Sequence, residues 1–238
     1  MESKTSLKRN SISLIILATL LLACNFSRLR PAGPGSSSNN NSGASPGTGG
    51  AQPSAAFHPA GDARQNLREA FGRLKTAYPY RLTETVTFAG NSQQPMPPTL
   101  RVAEFAAADR IHTKLNGQDL TITFGDKHYN YVNGKWVETS MAPKRSEANM
   151  EKLLASSVKD VQSVGNETVN GVQCFAYTTR LEWTVLNQPS IGNARIWIGL
   201  ADGLPHQLDG DWKVANYDTK SHIVYEYNVD IKIEKPVP

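Results

Sequence analysis

Glu84 falls in the apolar register of a period-two segment, Tyr80 to Phe88, where an unpaired carboxylate is costly to bury. A second carboxylate, from Glu104, Glu182 or Glu226, would complete the acid and nucleophile pair of a glycoside hydrolase if the fold set the two at the right separation. The five histidines (His58, His112, His128, His206 and His222) are scattered singly, and none has the i, i+4 spacing of a helical metal pair. His112 and His128 could approach across strands, but no third ligand accompanies them, so both read as polar-face residues. Asp209-Gly210-Asp211 with Asp218 resembles a calcium loop only in part, lacking the glycine and terminal glutamate of an EF-hand, and reads as a solvated turn. Cys174 alternates with Phe175 and Tyr177, with no basic neighbour before Arg180, which predicts a buried, inert thiol. The G-x-S-x-G, phosphate-loop, G-x-G-x-x-G and H-E-x-x-H signatures are missing. The sequence therefore predicts a binding protein rather than an enzyme, with no metal and no cofactor.

The other cysteine belongs to different chemistry. Lys4, Lys8 and Arg9 form a positive n-region, Ile12 to Leu22 an apolar run, and Ala23 the small residue before a cleavage point. About a dozen apolar residues are too few to span a bilayer, which needs roughly 20. Leu21-Leu22-Ala23-Cys24 matches a bacterial lipoprotein signal, and that resemblance implies a Cys24 linked through a thioether to diacylglycerol and usually N-acylated as well. Several acyl chains on one residue give stable anchoring. Asn25 is not the aspartate that retains lipoproteins in the inner membrane of enterobacteria, so by that analogy the outer membrane is favoured, the folded part facing the periplasm or the exterior.

Behind the anchor, Pro31 to Ala56 holds only Gly, Ser, Pro, Asn, Ala, one Gln and one Thr. Such a segment buries too little apolar surface to order itself and acts as a tether spanning about 30 Å. Three regions follow: residues 1–23 as signal peptide, 24–56 as lipidated cysteine and linker, and 57–238 as one folded domain. Loss of residues 1–23 lowers the formal charge of +4 to about +2, too weak and too dispersed for a nucleic-acid surface. With Cys24 lipidated, Cys174 has no partner for a disulfide. The domain is expected to be monomeric.

The elements that position these residues are mostly strands. Leu67, Ala70, Phe71, Leu74 and Ala77 form a helical stripe, capped by Asp62 and ended by Pro79. Period-two runs then cover Tyr80–Phe88, Leu100–Ala106, Arg110–Leu115, Asp119–Phe124, Lys127–Val132 and Lys135–Thr139, with Asn116-Gly117, Gly125-Asp126 and Asn133-Gly134 as hairpin turns. A second helix is predicted over Ser146 to Val158, with Met150, Leu153, Leu154 and Val158 on one face. Strands resume over Val161–Val169, Gly171–Leu181, Ser190–Leu200, Pro205–Asp209 and Ser221–Lys235. About ten strands against two helices predict a mainly β (α+β) fold: an antiparallel sheet, highly curved or an open barrel, with helical cover.

Several segments carry a resemblance. They are Tyr80-Arg81-Leu82, the hairpin from Phe105 to Ile111, Gly125-Asp126-Lys127-His128-Tyr129, Gly134-Lys135-Trp136, Val169-Asn170-Gly171-Val172 with Cys174, and Ile196-Trp197-Ile198 running into Asp202-Gly203-Leu204-Pro205. In this order, over nearly all of Asp62 to Pro236, they resemble the superfamily of LolA and LolB lipoprotein carriers, which includes mycobacterial lipid-carrier lipoproteins and RseB-type envelope sensors. The resemblance implies an unclosed antiparallel β-barrel whose concave apolar face is covered by helices. It also implies acyl chains of a lipid or lipoprotein as ligand, each buried methylene contributing about 0.8 kcal/mol. Cavity residues would be Leu82, Val86, Phe88, Val102, Ile111, Leu120, Ile122, Ile196, Ile198, Tyr225 and Tyr227, with Met150, Leu153 and Leu154 on the lid. Packing of a solid core explains the same pattern. Anchoring favours a tethered carrier or acceptor. The alternatives are an RseB-like sensor with an envelope protein partner, against which the end of the chain directly after its last strand counts, and a structural surface lipoprotein without ligand.

Overall fold

The computed structural model describes residues 56–59, 61–89, 97–139, 158–185, 188–214 and 217–237. One helix, α1 (Ala63–Arg73), precedes eleven strands: β1 (Tyr80–Ala89), β2 (Thr99–Ala107), β3 (Arg110–Leu115), β4 (Gln118–Phe124), β5 (Lys127–Val132), β6 (Lys135–Thr139), β7 (Val158–Val169), β8 (Val172–Val185), β9 (Gln188–Gly199), β10 (Pro205–Val214) and β11 (Tyr217–Tyr227). All eleven form one antiparallel sheet in the order β6-β5-β4-β3-β2-β1-β11-β10-β9-β8-β7. Two meanders thus meet where the first strand pairs with the last. The sheet is not closed, as an open barrel requires, since β6 and β7 end it on either side. Among the described residues α1 is the one helix, so the plural helical cover is not seen there. The signal peptide, Cys24, most of the linker and the lid residues Met150, Leu153 and Leu154 lie outside the described residues.

Local chemistry accounts for most of this. Asp62 caps α1 by accepting from the Arg64 amide at 2.9 Å. The Asn116-Gly117, Asn133-Gly134 and Asn170-Gly171 turns each place both residues at positive φ, between 50° and 80°, as two-residue hairpins demand. Directly paired residues of neighbouring strands share a face. The face on which α1 packs, called inner here, carries Tyr80, Leu82, Glu84 and Val86 of β1, Arg101, Ala103 and Phe105 of β2, and Ile223, Tyr225 and Tyr227 of β11. Leu67, Ala70, Phe71 and Leu74 of α1 join Tyr80, Leu82, Phe105, Ile111, Ile196, Ile198, Leu208 and Tyr225 in one buried cluster.

Three sequence readings are corrected. Asp209-Gly210-Asp211 is not a turn but the middle of β10, paired on both sides. Gly210 is there because the indole of Trp212 lies flat over it: a Cβ at Gly210 would stand 2.0 Å from Cζ2 of that ring, and one at Gly192 on the next strand 2.1 Å from Cε3. The last strand does not run to Lys235. It ends at Tyr227, Asn228 turns the chain at φ 57°, and residues 228–237 leave the sheet. The alternation of Ile231 and Ile233 persists because an extended chain laid on an apolar patch alternates as a paired strand does. These residues cover Ile122, Tyr129 and Trp136 on the outer face. Val158, read as the end of a helix, instead opens β7 and is buried in the main cluster.

Candidate functional site

The inner face changes character along its strands. At the α1 end it is aromatic and aliphatic. Tyr80 stacks on Phe105 at 4.4 Å and on Tyr78 at 5.6 Å between centroids, and the Tyr227 hydroxyl donates to the Pro205 carbonyl. Four residues further along β1, Glu84 and Arg101 face each other as directly paired neighbours, both buried at 7% and 2% exposure. Arg101 Nε donates to Glu84 Oε2 at 2.7 Å, and Nη2 lies 2.7 Å from the same oxygen without hydrogen-bond geometry. Nη1 and Nη2 have no hydrogen-bond partner among the described residues. Beyond the pair come buried hydroxyls: Ser221, which accepts from Trp212 Nε1 at 3.0 Å, and Thr219, which donates to the Trp212 carbonyl. Burial pushes the phenols of Tyr80, Tyr225 and Tyr227 upward, with Glu84 adding to the effect at Tyr225 and Arg101 opposing it.

The residues expected to line a cavity do not all share this face. Leu82, Val86, Phe88, Ile111, Ile196, Ile198, Tyr225 and Tyr227 do, by register. Of these, Val86 and Phe88 lie outside the cluster that α1 seals. Val102 and Ile122 project to the outer face, opposite Thr83 and Tyr129 respectively, and leave the set. Leu120 falls at a register shift and has no partner on β3. The cause is ambiguous patterning: Leu100 to Ala106 carries apolar residues at both parities, and the odd set Arg101, Ala103 and Phe105 is the buried one while Leu100 is 41% exposed. Arg101 was missed for the same reason. The signal that could have found it was Glu84, whose place in an apolar register called for a buried cation on the neighbouring strand.

The remaining candidate chemistry is dispersed. Glu104, Glu182 and Glu226 lie on the face opposite Glu84. Each is tied to an arginine: Arg81 reaches Glu104 at 2.9 Å and Glu226 at 3.5 Å, and Arg180 reaches Glu182 at 2.9 Å. No two-carboxylate site is assembled from these four residues. His112 bonds Asp119 at 2.9 Å, His206 bonds Asp202 at 2.9 Å and His222 bonds Asp209 at 2.6 Å. No group of three metal-ligating side chains forms among the described residues. Cys174 is fully buried on the outer face against Ala176 and Trp197, and burial pushes its thiol up to about 11. A groove of about 730 Å³ opens on the outer face across β1 and β7–β11, lined by residues such as Thr85, Asn193, Arg195, Asp211 and Lys220. Its polar walls and internally paired charges make it unsuited to hydrocarbon.

Among the described residues the fold is an eleven-stranded open antiparallel sheet with one short helix docked on its inner face. The fold resembles solved proteins. LprF from Mycobacterium bovis is similar at a TM-score of 0.47 and 11% identity, over 74% of this chain and 97% of that one. The lipoprotein LppX from Mycobacterium tuberculosis is similar at 0.45 and 12%, over 72% and 98%. A LolA superfamily protein from Nitrosomonas europaea is similar at 0.32 and 8%, over 73% and 96%. No family model matches the chain, and no curated protein matches it.

Proposed function

We propose that this chain is a lipid-anchored envelope protein that holds acyl chains of a lipid or lipoprotein against the inner face of its open sheet, as a carrier or acceptor. One observation carries the reading: the apolar inner face continues along β1 past the cluster that α1 seals. Val86, 4% exposed, and the half-buried Phe88 belong to the part beyond the helix. Hydrocarbon suits such a face because burial is non-directional and grows with area removed from water. Cys24 and the linker to residue 56 would hold the domain near a membrane, with the outer membrane favoured.

The test is native mass spectrometry of the intact chain, followed by organic extraction. A non-covalent lipid should co-purify, separable from the covalent anchor by mass. Phe88→Asp, on the half-buried rim, should remove it while far-UV circular dichroism is unchanged. A chain that carries no lipid and takes up no phospholipid, diacylglycerol or lipopeptide would show that the face is a filled core.

A further inference from the structure

We propose that the Glu84–Arg101 pair is an ester-reading subsite, and that the ligand is a neutral acyl ester whose carbonyl accepts the N–H groups of Arg101 Nη1, which Glu84 does not engage. Such a subsite presupposes the acyl-binding function proposed above. Arg101 is 2% exposed, and only its Nε is used in a hydrogen bond. Nη2 lies against the Glu84 carboxylate, and Nη1, equally buried, is left without an acceptor among the described residues. Buried N–H donors without acceptors are rare, because each has given up water and received nothing.

The partner of Arg101 selects among acceptors. Glu84 already balances the guanidinium charge, so the pair as a whole is neutral. A carboxylate or phosphate added to it would leave one negative charge uncompensated in the interior, which is costly. A carbonyl oxygen accepts the same N–H groups and adds no charge. The position also fits an ester. Arg101 lies in the row of Glu84, four residues or about 13 Å along β1 from the Tyr80 row where α1 seals the face. A chain attached to a carbonyl at Arg101 extends along Val86 and Phe88, away from that sealed end.

The experiment removes the carbonyl from the probe and the donor from the protein in turn. The intact chain is placed in nanodiscs of ether-linked phosphatidylcholine, so that only the probe supplies an ester, and displacement of a fluorescent dialkyl-ether lipid is followed. Dioleoylglycerol is compared with its dioleyl ether analogue and with oleate. Dioleoylglycerol should displace the reporter about tenfold or more better than the ether, a gain typical of hydrogen bonds to a charged group. Arg101→Met should erase that preference while ether binding stays. If Arg101→Met does not fold, the double variant Glu84→Leu with Arg101→Met, which buries no lone charge, supplies the same comparison. Equal affinity for ester and ether in the unmodified chain overturns the subsite and leaves the acyl-binding function standing. Preference for oleate over the diester, lost on replacing Arg101, overturns it in favour of an anion site. Failure to bind any of the lipids, the reporter included, overturns the acyl-binding function itself.

Discussion

At the scale of single residues, Glu84 and Arg101 make the sharpest prediction for stability. Arg101→Met alone strands a buried carboxylate and should cost about 3–5 kcal/mol in urea unfolding, whereas joining it with Glu84→Leu should return the protein to within about 1 kcal/mol of the original. A near-additive pair of losses would mean that the two side chains do not act together. Trp212 makes the second. Its ring occupies the space above Gly192 and Gly210, so Gly210→Ala should lower stability by about 1–3 kcal/mol and shift the tryptophan emission as the indole is pushed off the sheet. Cys174 makes the third. An unfolded thiol titrates near 9.0 and this one near 11 in the folded state, so the folded state holds the proton more tightly. The stability linked to that difference is intact below pH 9 and is lost as pH rises from about 9 to about 11, in the same direction as the buried tyrosines push. Urea midpoints at about pH 8 and pH 10.5 measure it. In the native protein at pH 8 a disulfide reagent should leave Cys174 unmodified, and denaturation should expose it.

At the scale of elements, the strands announced themselves wherever one face was polar. Tyr80 to Phe88 alternates without exception in side-chain burial up to Val86, and the asparagine-glycine turns mark the hairpins because few other residue pairs tolerate two positive φ angles. The readings failed where both parities were apolar, as at Leu100 and Val102 against Ala103 and Phe105. They failed again where a polar-looking triplet, Asp209-Gly210-Asp211, alternates only once the glycine is known to accommodate an indole. The inner-face site was legible in outline through Leu82, Ile196 and Ile198, but its polar member Arg101 was hidden, since a charge in an apolar register has no meaning until its partner is located. The departure of the chain at Asn228 could not be read at all: Ile231 and Ile233 look the same laid across an apolar patch as they do in a ladder. That segment gives a fourth expectation. Deleting residues 229–238 should uncover Ile122 and Tyr129, raise binding of a hydrophobic dye, and destabilise the β4–β6 half more than the α1 half, as hydrogen exchange would resolve.

At the scale of the whole molecule, an open sheet must manage two free edges. β6 is only five residues long, with Lys135 and Glu138 exposed, and β7 carries two register shifts and a glycine at φ 132°. Short, charged or bulged edges resist pairing with another chain. The central seam is of another kind. β1 and β11 pair across ten registered positions, Tyr80 against Tyr227 through Ala89 against Asp218, although well over a hundred residues separate them along the chain. Neither meander can be joined to the other until the final strand is available, and the entropy of closing so long a loop falls on that one step. A polypeptide growing from its N-terminus cannot complete the seam early, and closure of the sheet is deferred by connectivity alone until β11 has been made.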